Sequence, residues 1–208
     1  RPAGGGLRAA AGGPSPKPPT EAMRDLFRDH FFYMLYFQRP QAPEQELEAD
    51  VEDSLRRMFH SLSADGIEDF SVAPDSTGVL QAMQPPPSPP RWMRDEDLAY
   101  YVARFEKTGF TGALNWYRAM DASWRQQKED GRERIHPPAL FIAGKEDPVI
   151  QFAGKALERM PTMMDDLPAG GLPDDLGHRI QMDAPEAGNP PPGALPVSLY
   201  APVVEGAP

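Results

Sequence analysis

One short apolar run sets the main limit on how this chain can fold. Residues 139–143 (ALFIA) lie between a pair of prolines and a turn-forming Gly-Lys-Glu-Asp segment, which predicts one buried strand followed by a turn. A single strand cannot form a stable sheet. The sequence therefore predicts either pairing with strands outside these 208 residues or a segment that is not a strand at all.

The other patterned segments carry apolar residues at three- and four-residue spacing, which predicts helices. We expect four longer helices over residues 20–38, 44–62, 94–108 and 113–128, and a short one over residues 151–160. Thr20 is the expected N-cap of the first helix, and Gly109 suits the position just after the third. The second helix has an acidic face opposite an expected buried stripe of Leu47, Val51, Leu55, Met58, Phe59 and Leu62.

Composition and charge exclude several classes of function. The formal net charge is −10, and an acidic chain repels phosphate backbones, so we expect no nucleic-acid partner. The absence of cysteine excludes disulfides and thiolate chemistry, and the four histidines lack metal-ligand spacing, so we expect neither a metal nor another cofactor. No run approaches 18 apolar residues and no signal peptide is evident, so we expect a cytoplasmic protein without a membrane span.

Asp147 and His178 are the first candidate functional residues. Asp147 directly follows the predicted strand, so it lies either at the carboxyl edge of a sheet, where active sites assemble, or in an Asx-turn before a proline. His178 follows 31 residues later in a Leu-Gly-His segment. An Asp after a strand and then a loop His is the order of the last two triad members in α/β-hydrolases, although an isolated loop His is also typical of an exposed side chain.

Two aromatic segments supply the other candidates. Residues 109–117 (GFTGALNWY) place Trp116 and Tyr117 on the start of a helix, where a phenol either packs in a core or donates a hydrogen bond to a substrate oxygen. Composition does not decide between these alternatives. Residues 31–38 (FFYMLYFQ) place Tyr33 on one helix face with Tyr36 and Phe37.

Four motifs in a fixed order carry a resemblance to a known family. They are FFYMLYFQRP, GFTGALNWYRAM, PALFIAGKEDPVI and GHRIQMDAPE. Together they resemble the lid and C-terminal third of soluble epoxide hydrolases, a branch of the α/β-hydrolase superfamily, over roughly residues 20–186. The resemblance implies an α/β protein with an incomplete α/β-hydrolase fold. Residues 1–19 would be a flexible connector, residues 20–136 the helical lid, and residues 137–208 the C-terminal part of the core with a poorly ordered tail.

The resemblance also implies roles for individual residues. Tyr33 and Tyr117 match the two lid tyrosines that hydrogen-bond the epoxide oxygen and stabilise the alkoxide as the ring opens. Asp147 and His178 match the acid that orients the triad histidine and the histidine itself, which activates the water that hydrolyses a covalent ester. Phe37 and Trp116 would line an apolar pocket for a small apolar epoxide.

The sequence departs from the family pattern before the lid. The family nucleophile is an Asp in a segment like Gly-His-Asp-x-Gly, and the family oxyanion hole uses a His-Gly-x-Pro segment; neither is present in these 208 residues. We therefore expect a truncated or partly scrambled epoxide hydrolase that is inactive alone. The alternatives are another Asp-nucleophile hydrolase of the haloalkane dehalogenase type, which the paired tyrosines disfavour, and a non-catalytic helical interaction module. Exposed lid faces would favour self-association.

Overall fold

A computed structural model describes residues 16–28, 30–63, 66, 76–83, 85–86, 88, 90, 92–131, 134–137, 141, 143–147, 149–150, 154–167 and 176–184. The helices of these residues are α1 (Pro19–Phe27), α2 (Tyr33–Tyr36), α3 (Ala42–Ala49), α4 (Val51–Ser61), α5 (Asp95–Thr108), α6 (Thr111–Arg118), α7 (Met120–Glu129), α8 (Gly154–Met163) and α9 (Ile180–Asp183). The chain divides into two compact units, the first Lys17–Gln126 and the second containing α8 and α9. We describe each unit by itself.

The first predicted helix is in fact two helices. The chain leaves α1 at Arg28, whose φ of 31° cannot continue a right-handed helix, and Phe32 is extended before α2 begins. The rings of Phe27 and Phe32 stack at 3.8 Å across this break. Thr20 is not the N-cap, since Pro18 holds that position and Thr20 lies inside the first turn. The side chain and backbone N–H of Thr20 instead donate to the carboxylate of Asp121, at 2.6 and 3.0 Å.

The second predicted helix is also interrupted. Asp50 adopts an extended conformation between α3 and α4, and its carboxylate accepts a hydrogen bond from the backbone N–H of Asp53 at 2.9 Å. Asp50 is therefore the N-cap of α4, and this cap is the physical reason for the break that the apolar periodicity did not reveal. The buried stripe is confirmed at Leu47, Leu55 and Phe59, which are 0–4% exposed.

The third predicted helix is confirmed. The fourth was predicted as one continuous helix, which is wrong, because the structure has two. Helix α5 begins after Arg94 with three acidic residues in its first turn and ends at Gly109. Gly109 has a φ of 65°, a conformation that favours glycine, and a Cβ there would lie 2.6 Å from a carboxylate oxygen of Glu48, so that side chain would have to shift. Ala119 separates α6 from α7.

The core of the first unit joins α2 to α6. Its buried side chains are Tyr36, Phe37, Leu47, Leu55, Phe59, Val79, Met83, Met93, Leu98, Phe110 and Leu114. Tyr33 and Tyr117 are partly buried and pack against this cluster. Burying such side chains is the main favourable contribution to the fold of this unit, and it also makes the unit a firm support for α2 and α6.

The predicted strand is not formed at those of its residues that the structure describes. Phe141 and Ala143 lie outside any strand, and the other members of residues 139–143 fall outside the described ranges. A parallel bridge joins Ile135 to Met164. Arg134 and His136 flank this bridge, and both side chains contact the carboxylate of Asp165. Their hydrogen bonds, that of His136 first, hold the pKa of Asp165 below its usual value.

The later elements of the second unit are short. The predicted turn after residue 143 is confirmed, with the backbone N–H of Asp147 donating to the carbonyl of Gly144 at 3.2 Å. Helix α8 runs to Met163, three residues beyond the predicted end at residue 160. The expected connector up to residue 15 and the expected tail from residue 187 lie outside the described residues. In the part of the chain that the structure describes, no helix is long and apolar enough to cross a membrane.

Candidate active site

Asp147 and His178 form a hydrogen-bonded pair in the second unit. The Nδ1 atom of His178 lies 2.9 Å from Oδ2 of Asp147. The Asp147 side chain is 7% exposed, whereas the His178 side chain is 40% exposed. An acidic group held inside the protein thus orients an imidazole that reaches the surface of its own unit.

The turn around Asp147 explains why this carboxylate is fixed. Its Oδ1 atom accepts a hydrogen bond from the backbone N–H of Val149 at 2.8 Å, which is the geometry of an Asx-turn. Its Oδ2 atom contacts His178. Asp147 is therefore an Asx-turn residue through Oδ1 and the partner of His178 through Oδ2, whereas the described residues before it form no strand whose carboxyl edge it could occupy.

The loop that carries His178 lies directly on the Asp147 turn. The backbone N–H of Glu146 donates to the carbonyl of Leu176 at 3.0 Å. A Cβ added to Gly144 would lie 2.1 Å from that carbonyl oxygen and 2.3 Å from the carbonyl oxygen of Gly177. Glycine at position 144 is thus required for the approach of the His178 loop, which sequence reasoning missed.

The pair has the atoms for general base chemistry. When Nδ1 of His178 carries its proton and donates it to Asp147, the lone pair of the neutral ring lies on Nε2. An imidazole held in this tautomer can accept a proton from water at Nε2. In catalytic pairs of this kind, the Asp fixes the orientation of the ring and stabilises positive charge on it.

Tyr33 and Tyr117 come together in the first unit. Their ring centroids lie 5.9 Å apart with an interplanar angle of 82°. Phe37 contacts both, at 5.6 Å from Tyr33 and 5.0 Å from Tyr117. Edge-to-face contacts of this kind favour one arrangement of the three rings. Two phenols that are 84 residues apart in sequence are thus neighbours in the fold.

Phe37 and Trp116 have very different environments. Phe37 is 4% exposed and supports the two tyrosines from within the core. Trp116 is 59% exposed on α6, on a different side of the helix from Leu114. Their expected role in lining an apolar pocket stays a prediction.

Polar contacts that the sequence did not predict hold the tyrosine-bearing segments. Arg118 forms a two-pronged ion pair with Glu44, at 2.6 and 2.9 Å, and Gln38 donates to the carbonyl of Tyr117 at 3.1 Å. The hydrogen bond from Arg118 holds the pKa of Glu44 below its usual value, and Glu44 raises the pKa of Arg118. Burial, and then a hydrogen bond to Glu46, raises the pKa of Tyr36 to about 12.

The only sequence feature that points to these contacts is that the polar residues directly follow candidate site residues. Arg118 directly follows Tyr117, and Gln38 directly follows Phe37, but their partners are 74 to 81 residues away. A polar residue beside a candidate site is worth testing for this reason. Within the described ranges, no group of three His, Asp or Glu side chains could hold a metal ion.

Comparisons with known proteins give a consistent set of relatives. No family model matches the chain. Over 171 residues it is 36% identical to Epoxide hydrolase A of Mycobacterium tuberculosis, a match that covers 81% of this chain and 52% of the relative. It is 29% identical to the rat Bifunctional epoxide hydrolase 2, with coverage of 80% and 29%.

The solved structures agree with these relatives. Epoxide Hydrolase A from Mycobacterium thermoresistibile superposes with a TM-score of 0.76 at 38% identity, over 84% of this chain and 55% of that protein. An epoxide hydrolase from an endophytic Streptomyces gives a TM-score of 0.75 at 30% identity. The chain spans about half the length of Epoxide hydrolase A and of these two solved structures.

Proposed function

We propose that this chain, which is a relative of the epoxide hydrolases of the α/β-hydrolase superfamily over about four fifths of its length, carries two parts of an epoxide-hydrolysing site. The substrate class is a small apolar epoxide and the product a vicinal diol. The observation that carries the proposal is the Tyr33–Tyr117 pair, because two neighbouring phenols on one support suit a single oxygen that gains negative charge.

The proposed role of the two tyrosines is to donate to the epoxide oxygen. As a carboxylate attacks an epoxide carbon, the carbon–oxygen bond breaks and its electron pair becomes an alkoxide. A phenol with a reference pKa of about 10 is protonated at neutral pH, yet it can give its proton to the far more basic alkoxide. Phe37 would keep the two rings in place while this happens.

The proposed role of the Asp147–His178 pair is to complete the reaction. Attack by a carboxylate leaves a covalent ester, which water must hydrolyse. His178 would accept a proton from that water, and Asp147 would stabilise the resulting imidazolium. Hydrolysis releases the diol and restores the carboxylate. We further propose that residues 20–136 act as a helical lid in the whole protein.

The carboxylate nucleophile is the part that this sequence does not supply. It contains no Gly-His-Asp-x-Gly segment. Activated water cannot replace a covalent nucleophile in this reaction scheme, so we propose that the 208-residue chain does not hydrolyse epoxides by itself. The direct check is to incubate the purified chain with styrene oxide and measure diol. Turnover that depends on His178 would overturn the proposed inactivity.

The roles of the residues can be tested in a chimera. Residues 20–186 of this chain would replace the matching part of Epoxide hydrolase A of Mycobacterium tuberculosis, which shares 36% identity with it. We expect diol formation from styrene oxide and a fall in kcat of about 10²–10³-fold when Tyr33 and Tyr117 are both replaced by Phe. Tyr100→Phe is the control, since Tyr100 is 58% exposed.

Each outcome of the chimera experiment has a definite meaning. A folded chimera that keeps full activity after both Tyr→Phe changes would refute the role of the phenols. His178→Gln should allow the ester to form but stop its hydrolysis, so mass spectrometry should detect the covalent intermediate. Release of halide from 1-chlorohexane, with no diol from styrene oxide, would instead favour the haloalkane dehalogenase alternative.

A further inference from the structure

The guanidinium of Arg118, close to the two tyrosines, forms hydrogen bonds through all three of its nitrogens. It lies on α6 directly after Tyr117, and its side chain is 21% exposed. Two of its nitrogens, Nη1 and Nη2, bind the two carboxylate oxygens of Glu44 at 2.6 and 2.9 Å. Such a bidentate pair fixes the plane of the guanidinium as well as its position.

The same guanidinium also binds the chain that follows α2. Its Nε donates to the carbonyl of Phe37 at 3.0 Å, and Nη2 donates to the carbonyl of Arg39 at 2.9 Å. Carbonyls at the end of a helix lack partners within that helix, so they are natural acceptors for an arginine. Arg118 therefore joins three parts of the unit: α6, which carries Tyr117; the segment directly after α2, the helix that begins at Tyr33; and the first turn of α3.

Helix α6 is held at its other end as well. The backbone N–H of Phe110 donates to Oε1 of Glu48 at 2.9 Å, just before α6 begins. Gln38 adds a second link beside Arg118, because its Nε2 donates both to the carbonyl of Met34 and to the carbonyl of Tyr117, at 2.9 and 3.1 Å. Polar contacts thus hold α6, and with it the backbone of Tyr117, at both ends of the helix.

We propose that Arg118, held by Glu44, is a positioning residue that sets the spacing of the Tyr33 and Tyr117 phenols. This inference rests on the proposed role of those phenols in opening the epoxide. Arg118 does not touch the reacting oxygen; it acts through the backbone on both sides of the pair. Lysine cannot replace it, because one ammonium group cannot match a planar set of donors aimed at two carboxylate oxygens and two carbonyls.

The chain offers a matched control at Arg57. Its side chain is 22% exposed, its Nε binds Oδ2 of Asp53 at 2.7 Å, and its Nη1 donates to the carbonyl of Met83 at 3.1 Å. Arg57 thus combines a carboxylate and a backbone carbonyl in the same unit as Arg118. Its named partners lie outside α2 and α6, so Arg57→Met tests what the loss of a partly buried arginine does by itself.

The first measurement uses the full 208-residue chain with ¹³C-labelled tyrosine. In the unmodified protein, NMR should show a nuclear Overhauser effect between the Tyr33 and Tyr117 rings, whose centroids are 5.9 Å apart. We expect Arg118→Met and Arg118→Lys to abolish or strongly weaken this signal and to shift the resonances of both rings. Arg57→Met should lower the melting temperature but leave the ring signal and both resonances unchanged. An unchanged signal in folded Arg118→Met, or an equal loss in Arg57→Met, would overturn the inference.

A milder variant covers the case in which Arg118→Met does not fold. Glu44→Gln keeps the shape of the side chain and removes the charge that holds the guanidinium. We expect it to weaken the ring-to-ring signal in the same direction and by a smaller amount. A folded Glu44→Gln protein with unchanged ring signals would count against the inference on its own.

The epoxide hydrolase chimera separates this inference from the proposed function. There we expect Arg118→Met to lower kcat by roughly 10–100-fold, the range for a small misplacement of reacting groups. The effect should disappear when Tyr33 and Tyr117 are already Phe, because there is no phenol left to misplace. If the tyrosines themselves prove dispensable while the NMR effect of Arg118→Met persists, the proposed function fails and the structural role of Arg118 stands. A kcat loss of equal size with and without the phenols would overturn the positioning role.

Discussion

Gly144→Ala tests whether close backbone approach brings His178 to Asp147. In the structure, an added Cβ would lie 2.1 Å from the carbonyl oxygen of Leu176, whereas ordinary contact begins at 3.4 Å. The clash is with backbone, so a rotamer change of a side chain cannot relieve it. The His178 loop would have to move away by about 1.3 Å.

A movement of that size is enough to break the pair. The Nδ1···Oδ2 separation of His178 and Asp147 is 2.9 Å, and a retreat of more than one ångström takes it beyond hydrogen-bonding range. The hydrogen bond from Glu146 to the carbonyl of Leu176 would be lost in the same movement. From overpacking, we expect a fall in the free energy of unfolding of about 1–3 kcal/mol.

The assay combines stability with a direct view of the His178 ring. Thermal unfolding should show a lower midpoint. The ¹⁵N chemical shift of Nδ1 in His178 should move to the value of a nitrogen without a hydrogen bond to Asp147. Gly112→Ala is the control, because a Cβ on Gly112 in α6 meets nothing within 4 Å. It should stabilise the protein by up to about 1 kcal/mol, as expected for Gly→Ala in a helix. A Gly144→Ala protein with unchanged midpoint and His178 signals would refute the reasoning.

Three further predictions concern the first unit. Asp50→Ala should cost about 1 kcal/mol, because Asp50 caps α4, and Asp50→Ser should recover most of that loss in chemical denaturation. Arg118 lowers the pKa of Glu44, so their pair stabilises the fold above the usual pKa of Glu and loses this contribution as pH falls through the lowered value; Glu44→Gln should therefore flatten the acid side of the stability profile. The pKa of Tyr36 is raised to about 12 by burial and by Glu46, so absorbance titration should show a phenol that ionises near pH 12, and Tyr36→Phe should remove that step.

The helices were predictable where packing alone decides them. Apolar spacing located the buried residues Leu47, Leu55 and Phe59 correctly, because burial of one face is what the three- and four-residue spacing reports. The breaks at Arg28 and Asp50 were missed. Each depends on one backbone conformation and a local partner, and neither interrupts the apolar pattern over ten or more residues.

The identity of the candidate site residues was predictable from the sequence, but the structural elements that hold them in place were not. The order of Tyr33, Tyr117, Asp147 and His178 in recognisable motifs named the residues, and the structure forms each pair within one unit. The expected strand before Asp147 is not formed at the residues that are described there, and a strand with no neighbours has no ladder of hydrogen bonds to hold it. The turn nevertheless fixes Asp147, since an Asx-turn needs only its own backbone.

The acidic side of α3 shows why the supporting residues escaped prediction. A run of glutamates on a helix normally indicates a solvated face, and the net charge of −10 encourages that interpretation. In the fold, however, Glu44 binds Arg118, Glu46 accepts from the backbone of Val79 at 3.0 Å, and Glu48 accepts from Phe110 at 2.9 Å.

These carboxylates therefore accept hydrogen bonds from donors in other elements and are not simply solvent-exposed charges. Charge-assisted hydrogen bonds of this kind are directional, so they fix the segments they join more tightly than apolar contact does. Because their partners lie 33 to 74 residues away, no local pattern could reveal them. The same feature makes α3 the element through which a change far from either phenol should alter the spacing of Tyr33 and Tyr117.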